Sequence, residues 1–91
     1  MGGPVKRSVA IAGHATSISL EPIFWDALGA AARAEGVPLS ALVARIDAAR
    51  IDAARGAAAG PPANLASAIR VWLFARAMAA IDEGQGGPAA G

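Results

Sequence analysis

The chain is 91 residues long, carries a formal net charge of +1, and contains no cysteine and one histidine. That length gives room for one domain, too small to bury a comfortable core alone, so a partner chain is expected. A disulfide framework and a thiolate metal site are excluded, and one histidine cannot make a ligand cluster, so no metal or cofactor is expected.

Residues 1–14 read as a basic arm. Lys6 and Arg7 are the only charged side chains before Glu21, so any attraction to a polyanion is concentrated at this end. The opening apolar run is too short and broken for a signal-peptide core, which points to a cytoplasmic protein. Within the arm Ser8-Val-Ala-Ile-Ala alternates weakly and stops at Gly13, consistent with a second strand or an ordered arm. From Thr16 to Leu20 the alternation is strict, Ile18 and Leu20 on one side and Ser17 and Ser19 on the other, which predicts a half-buried strand over 15–20. Gly13-His14 also offers a two-residue hairpin turn that would set Ile11 opposite Thr16 and Val9 opposite Ile18.

Pro22 suits the first position of a helix and Glu21 the positive helix end, so a first helix is expected over about 22–35, stopped by Gly36. A second is expected over 39–55, with Leu42, Val43 and Ile46 as its buried stripe. Its later part repeats Arg-Ile-Asp-Ala-Ala at 45–49 and 50–54. A five-residue step turns a helix by about 500°, which carries Ile51 away from the stripe of Ile46. The second copy is read as a lengthened, exposed helix end, with Asp47 to Arg50 and Asp52 to Arg55 able to pair at i,i+3. Gly56 to Ala63 reads as a linker. Asn64 is a good N-cap for a third helix over 65–83, and residues 84–91 as a Gly-, Ala- and Pro-rich tail are expected to be disordered. The third helix, apolar on most of its circumference, is expected to be touched on more than one side. It carries Arg70 and Arg76 and is too short to be a membrane span, so no membrane contact is expected.

The whole reads as one domain over 15–83, mainly α with one short N-terminal strand. Alanine inflates the 55% apolar fraction, so the core is expected from Ile18, Leu20, Phe24, Trp25, Leu28, Leu42, Val43, Ile46, Leu65, Ile69, Trp72, Leu73, Phe74 and Met78. A lone strand leaves its ladder unpaired and must find a partner. Antiparallel pairing with the same strand of a second chain would bury Ile18 and Leu20 of both copies and display Ala15, Ser17 and Ser19 twice on the other face. A two-stranded ribbon fits the major groove of B-form DNA, where hydroxyl side chains can meet base edges. Alternatively Ser17 and Ser19 are the solvated side of an amphipathic strand. The Gly13-His14 hairpin would leave the far edge of 15–20 open to dimer pairing but could cover the ribbon.

Lys6-Arg-Ser-Val, Gly13-His14, Thr16-Ser-Ile-Ser-Leu-Glu, Phe24-Trp25, Leu28, Gly36, Leu39-Ser-Ala-Leu-Val, Ile46-Asp47 and Asn64-Leu-Ala-Ser-Ala-Ile-Arg-Val, in that order and spacing, resemble the short bacterial ribbon-helix-helix family over residues 6–76. The resemblance implies an intertwined homodimer with an intermolecular antiparallel β-ribbon plus a third helix, and double-stranded DNA as partner. Carried over by position, it makes Ala15, Ser17 and Ser19 the base-reading side chains, and the backbone at Leu39 and Ser40 a phosphate clamp. Lys6 and Arg7 would add backbone contacts, and Ile18, Leu20, Phe24, Leu28, Leu42, Val43 and Ile46 would form the dimer core. Two positions depart from the family pattern: Ala15 stands where arginine is frequent, and Pro38 where a serine cap is usual. His14 is read as a turn residue, Arg33, Arg45, Arg70 and Arg76 as separated surface or interface charges, and both tryptophans as core.

The expected function is that of a DNA-binding transcriptional regulator, most simply a repressor. The alternative is a protein-interaction or antitoxin-type module with weak DNA binding that docks a partner protein through residues 65–83. An enzyme is not expected, because Glu21, Asp26 and Glu35 lie on a helix with no constellation of nucleophile, base and phosphate loop around them.

Overall fold

The structure is a computed structural model, and it describes residues 3–56 and 64–86. Its elements in chain order are β1 (Val5–Ile11), β2 (His14–Leu20), α1 (Pro22–Glu35), α2 (Leu39–Gly56) and α3 (Leu65–Gly86). The expected linker from Ala57 onward and the tail beyond Gly86 lie outside the described residues. α3 continues through 84–86, past the end expected from its sequence.

One strand was expected over 15–20, with a second strand or an ordered arm left open upstream, and the chain has two strands. β1 and β2 form an antiparallel hairpin with Ile11 opposite His14, Val9 opposite Thr16, Arg7 opposite Ile18 and Val5 opposite Leu20. The turn is therefore Ala12-Gly13, one residue before the Gly13-His14 turn, and the register differs accordingly. The reason lies in the backbone. Ala12 and Gly13 take φ of 51° and 82°, and a turn with both central residues at positive φ matches the right-handed twist of two paired strands. Val9 and Ile11 then join Ile18 and Leu20 on one buried face. The basic arm is thus a strand that contributes to the core.

Local chemistry sets both ends of α1 and the start of α3. Glu21 is extended at the N-cap of α1 (φ −61°, ψ 150°), followed at once by Pro22. At the other end Gly36 is left-handed, its N–H reaching Arg33 O at 3.1 Å, while the Val37 N–H donates to Ala32 O at 3.0 Å. The Asn64 side chain accepts the Ser67 amide at 2.8 Å and so caps α3.

The three helices pack on the buried face of the hairpin. Leu20, Leu28, Leu42, Val43 and Ile69 form the centre, with Ile18, Trp25, Ile46 and Leu73 around them. Phe24, Leu65 and Trp72 are only partly buried against this cluster. Phe74 and Met78, expected in the core, are instead 67% and 43% exposed. A helix apolar on two sides buries only one of them, and here Ile69 and Leu73 face inward. Ile51 of the second repeat copy is 38% exposed while Ile46 is 3% exposed, as the five-residue rotation requires. Arg50 bonds Asp47 at 2.5 Å, whereas Asp52 and Arg55 form no ion pair among the described residues.

Ion pairs tie the helices together at the surface. Arg70 of α3 donates twice to the Glu21 carboxylate, at 2.9 and 3.0 Å, and stacks over Phe24. Glu35, at the end of α1, accepts from Arg45 of α2 through one oxygen and from Arg76 of α3 through the other. Arginines scattered along the sequence thus converge on two carboxylates.

Candidate nucleic-acid interface

Hairpin register sorts its side chains into two faces. Val5, Arg7, Val9, Ile11, His14, Thr16, Ile18 and Leu20 lie on the side turned to the helices. Lys6, Ser8, Ala10, Ala15, Ser17 and Ser19 lie on the other, with Lys6 opposite Ser19, Ser8 opposite Ser17 and Ala10 opposite Ala15. This outer face is exposed apart from the half-buried Ser19. It bears small and hydroxyl-bearing side chains with one cation at its margin, and no carboxylate precedes Glu21 anywhere in the chain. Ala15, Ser17 and Ser19 therefore share a flat face with Lys6, as their alternation requires. Ser8 and Ala10 belong to that face too. Their alternation in Ser8-Val-Ala-Ile-Ala was the available signal, and it could not be used without knowing that β1 pairs with β2.

Arg7 does not join this face. Its guanidinium lies over the Trp25 ring, 5.1 Å from the centroid, and the Trp25 indole N–H donates to Val5 O at 2.9 Å. The buried indole thereby finds its hydrogen-bond acceptor and holds the start of β1 against α1. Arg7, Trp25, Asp26, Arg33 and Leu39 line one open groove of about 470 Å³ between the hairpin, α1 and the start of α2. The carried-over residues thus divide into a flat ribbon face and a separate groove beside the second helix.

Leu39 and Ser40 occupy the first turn of α2, and both are half-buried. The first helical bonds run from Ala41 N and Leu42 N to Pro38 O, at 3.1 and 3.2 Å. Pro38 therefore takes the N-cap position without a side-chain hydroxyl or a backbone N–H to offer, and the amides of Leu39 and Ser40 precede the helix's own hydrogen bonds. His14 is exposed in β2 opposite Ile11, beside the turn and not in it.

Residues assigned by resemblance to a dimer core also have places within the single chain. Ile18, Leu20, Leu28, Leu42, Val43 and Ile46 are buried, and Phe24 is half-buried under Arg70. Among the described residues the sheet has two strands, so β2 is paired along one edge and open along the other.

Glu21 holds its carboxyl below the usual carboxylate range, first through a hydrogen bond with its own backbone amide and then through Arg70. It locks the junction between strand and helix and lies off the ribbon face. Among the described residues no group of histidine, cysteine and carboxylate side chains could hold a metal, and no helix is long and apolar enough to cross a membrane.

A family model described as a ribbon-helix-helix domain matches residues 4–77. No curated protein and no solved structure matches the chain.

Proposed function

The chain belongs to the ribbon-helix-helix domain family, a family of DNA-binding or antitoxin-type regulators, and from that premise we propose that it is a homodimeric, cytoplasmic transcriptional regulator, most simply a repressor, that reads the major groove with its β-ribbon. The observation that carries the reading is the outer face of the hairpin: small and hydroxyl side chains, one cation, no carboxylate. Two copies pair β2 against β2 through the edge left open in the single chain. Strands lie about 4.8 Å apart, so four would span roughly 14 Å between outer axes, against a groove about 12 Å wide. The two central strands therefore enter, presenting Ala15, Ser17 and Ser19 from each copy to base edges. β1 rides at the rim, where Lys6 meets the sugar-phosphate backbone. With alanine at position 15 the hydroxyls of Ser17 and Ser19 carry the direct readout. The first amides of α2, at Leu39 and Ser40, with Arg7 beside Leu39 in the same groove, supply a further phosphate contact.

Fluorescence anisotropy of the purified protein on genomic DNA fragments, repeated at rising salt, tests this. Salt-sensitive binding by a dimer is expected, with at least a hundredfold loss for Ser17→Glu combined with Ser19→Glu. Unchanged affinity in that double variant would sink the ribbon mechanism.

A second reading has one specific observation in its favour. The outer side of α3 exposes Val71 and Phe74, each at 67%, which suits an antitoxin-type module that docks a partner protein through residues 65–83. Stoichiometric co-purification of another protein, without retention on DNA at low salt, would favour it.

A further inference from the structure

Arg45, Arg50, Arg70 and Arg76 each hold a carboxylate. Arg7, Arg33 and Arg55 hold none among the described residues, and the first two line the same groove. Trp25, Gly29 and Arg33 follow one another at intervals of four along α1, so they form one stripe of the helix. Arg7 lies over the ring that begins that stripe. Arg33 folds back along it, with its Nη1 3.6 Å from where a Cβ at Gly29 would stand. Gly29 has no side chain, which leaves that stretch of the groove floor open.

Two guanidiniums without carboxylate partners thus overlook one groove. Asp26 is the carboxylate among its lining residues, and it forms no ion pair among the described residues. The lining therefore carries one net positive charge, the complement of one phosphodiester. A guanidinium presents a planar fork of N–H donors that matches two oxygens of a phosphate. α2 packs against β1 and α3 against β2, so the groove at the start of α2 lies on the β1 side of the molecule. In the four-stranded ribbon proposed above that side is the rim, where the DNA backbone passes.

We propose that Arg33, at the end of α1, is a DNA-contacting residue that shares one backbone phosphate with Arg7 in this groove, once in each copy. It rests on the ribbon reading for its place at the rim. The two guanidiniums supply the donors that Pro38, at the cap of α2, does not offer. Asp26 opposes them, so the contact has a lever of each sign.

The test is anisotropy on a DNA fragment that the parent protein binds, at rising salt, with circular dichroism confirming that each variant melts as the parent does. Arg33→Ala is expected to weaken binding about tenfold without changing sequence preference. Asp26→Asn is expected to tighten it a few-fold. Arg55→Ala is the control. It removes the same charge from an equally exposed site sixteen residues beyond Leu39 on α2, about 24 Å by helix rise, and is expected to stay within twofold of the parent. Arg7→Ala combined with Arg33→Ala removes one phosphate contact per copy and should lower the magnitude of the salt slope by about 2. A loss in Arg33→Ala no larger than in Arg55→Ala, or weaker binding by Asp26→Asn, would overturn the proposal. If the loss from Ser17→Glu with Ser19→Glu persists in that case, the ribbon reading stands and this contact alone fails. A parent protein that binds no DNA removes both. Stabilisation of the DNA-free protein by millimolar inorganic phosphate, abolished in Arg33→Ala while DNA affinity is unchanged, would assign the groove to a free phosphate and overturn the DNA contact.

Discussion

Ala12 is the residue whose backbone the hairpin strains. Its φ of 51° falls in the left-handed region, which costs a residue bearing a Cβ roughly 1–2 kcal/mol, and the following Gly13 at 82° pays nothing comparable. Asparagine tolerates that region and is preferred before glycine in such turns. Ala12→Asn is therefore expected to stabilise the protein by about 0.5–1 kcal/mol in urea unfolding, and Gly13→Val to destabilise it by more than that. Glu21 acts on a different variable. Its carboxyl is held low by its own amide and by Arg70, so the stabilisation is complete above the ordinary glutamate pKa and is lost as pH falls through the depressed folded value. The melting temperature of Glu21→Gln should lie below that of the parent at neutral pH, with the gap closing on acidification. A gap that does not narrow as pH falls below the ordinary glutamate range would show that the pair does not contribute through ionisation.

At the scale of elements, α2 divides into a half that packs and a half that does not. Leu42 is fully buried and Ile51 is 38% exposed, although both are large aliphatic residues on the same helix. Leu42→Ala is expected to cost about 2–5 kcal/mol through lost contact and the cavity left behind, and Ile51→Ala less than about 1 kcal/mol. Equal losses would mean that the second repeat copy has a packing role. Among the described residues β1 is tied to α1 by the Trp25 indole bond to Val5 O and by Arg7 over the Trp25 ring. Trp25→Phe keeps an aromatic ring, smaller than the indole, and removes the donor. It should cost about 1–2 kcal/mol and speed amide exchange in β1 ahead of β2.

For the whole molecule, the near-neutral net charge hides a polarity that DNA binding would reveal. The first 20 residues hold Lys6 and Arg7 and no acid. In a dimer these make four cations, so the slope of log affinity against log salt should be about −2 to −4, well short of strongly basic binders. Lys6→Ala should reduce its magnitude by about 2, one for each copy, while leaving sequence preference intact. Ser17→Ala should do the reverse, blurring preference at one base position with little change in slope.

Much of this was settled by short-range chemistry that a sequence carries openly. Pro22 after an extended Glu21, the left-handed Gly36 and the Asn64 side chain bound helices through contacts within a few residues, and strict alternation from Thr16 to Leu20 separates a buried from a polar face. The outer ribbon face, with Ala15, Ser17 and Ser19 together, follows from that period of two. Tertiary structure decided what local pattern leaves degenerate. Whether Lys6 and Arg7 ride on a free arm or on a strand depends on a turn placed at Ala12-Gly13, and once they are on a strand its pleat sends the two neighbouring cations to opposite faces. Which side of α3 faces inward could not be read from a helix apolar all round, because periodicity separates faces only where their polarity differs. Only the packing of Ile69 and Leu73 against the other elements leaves Phe74 and Met78 outside.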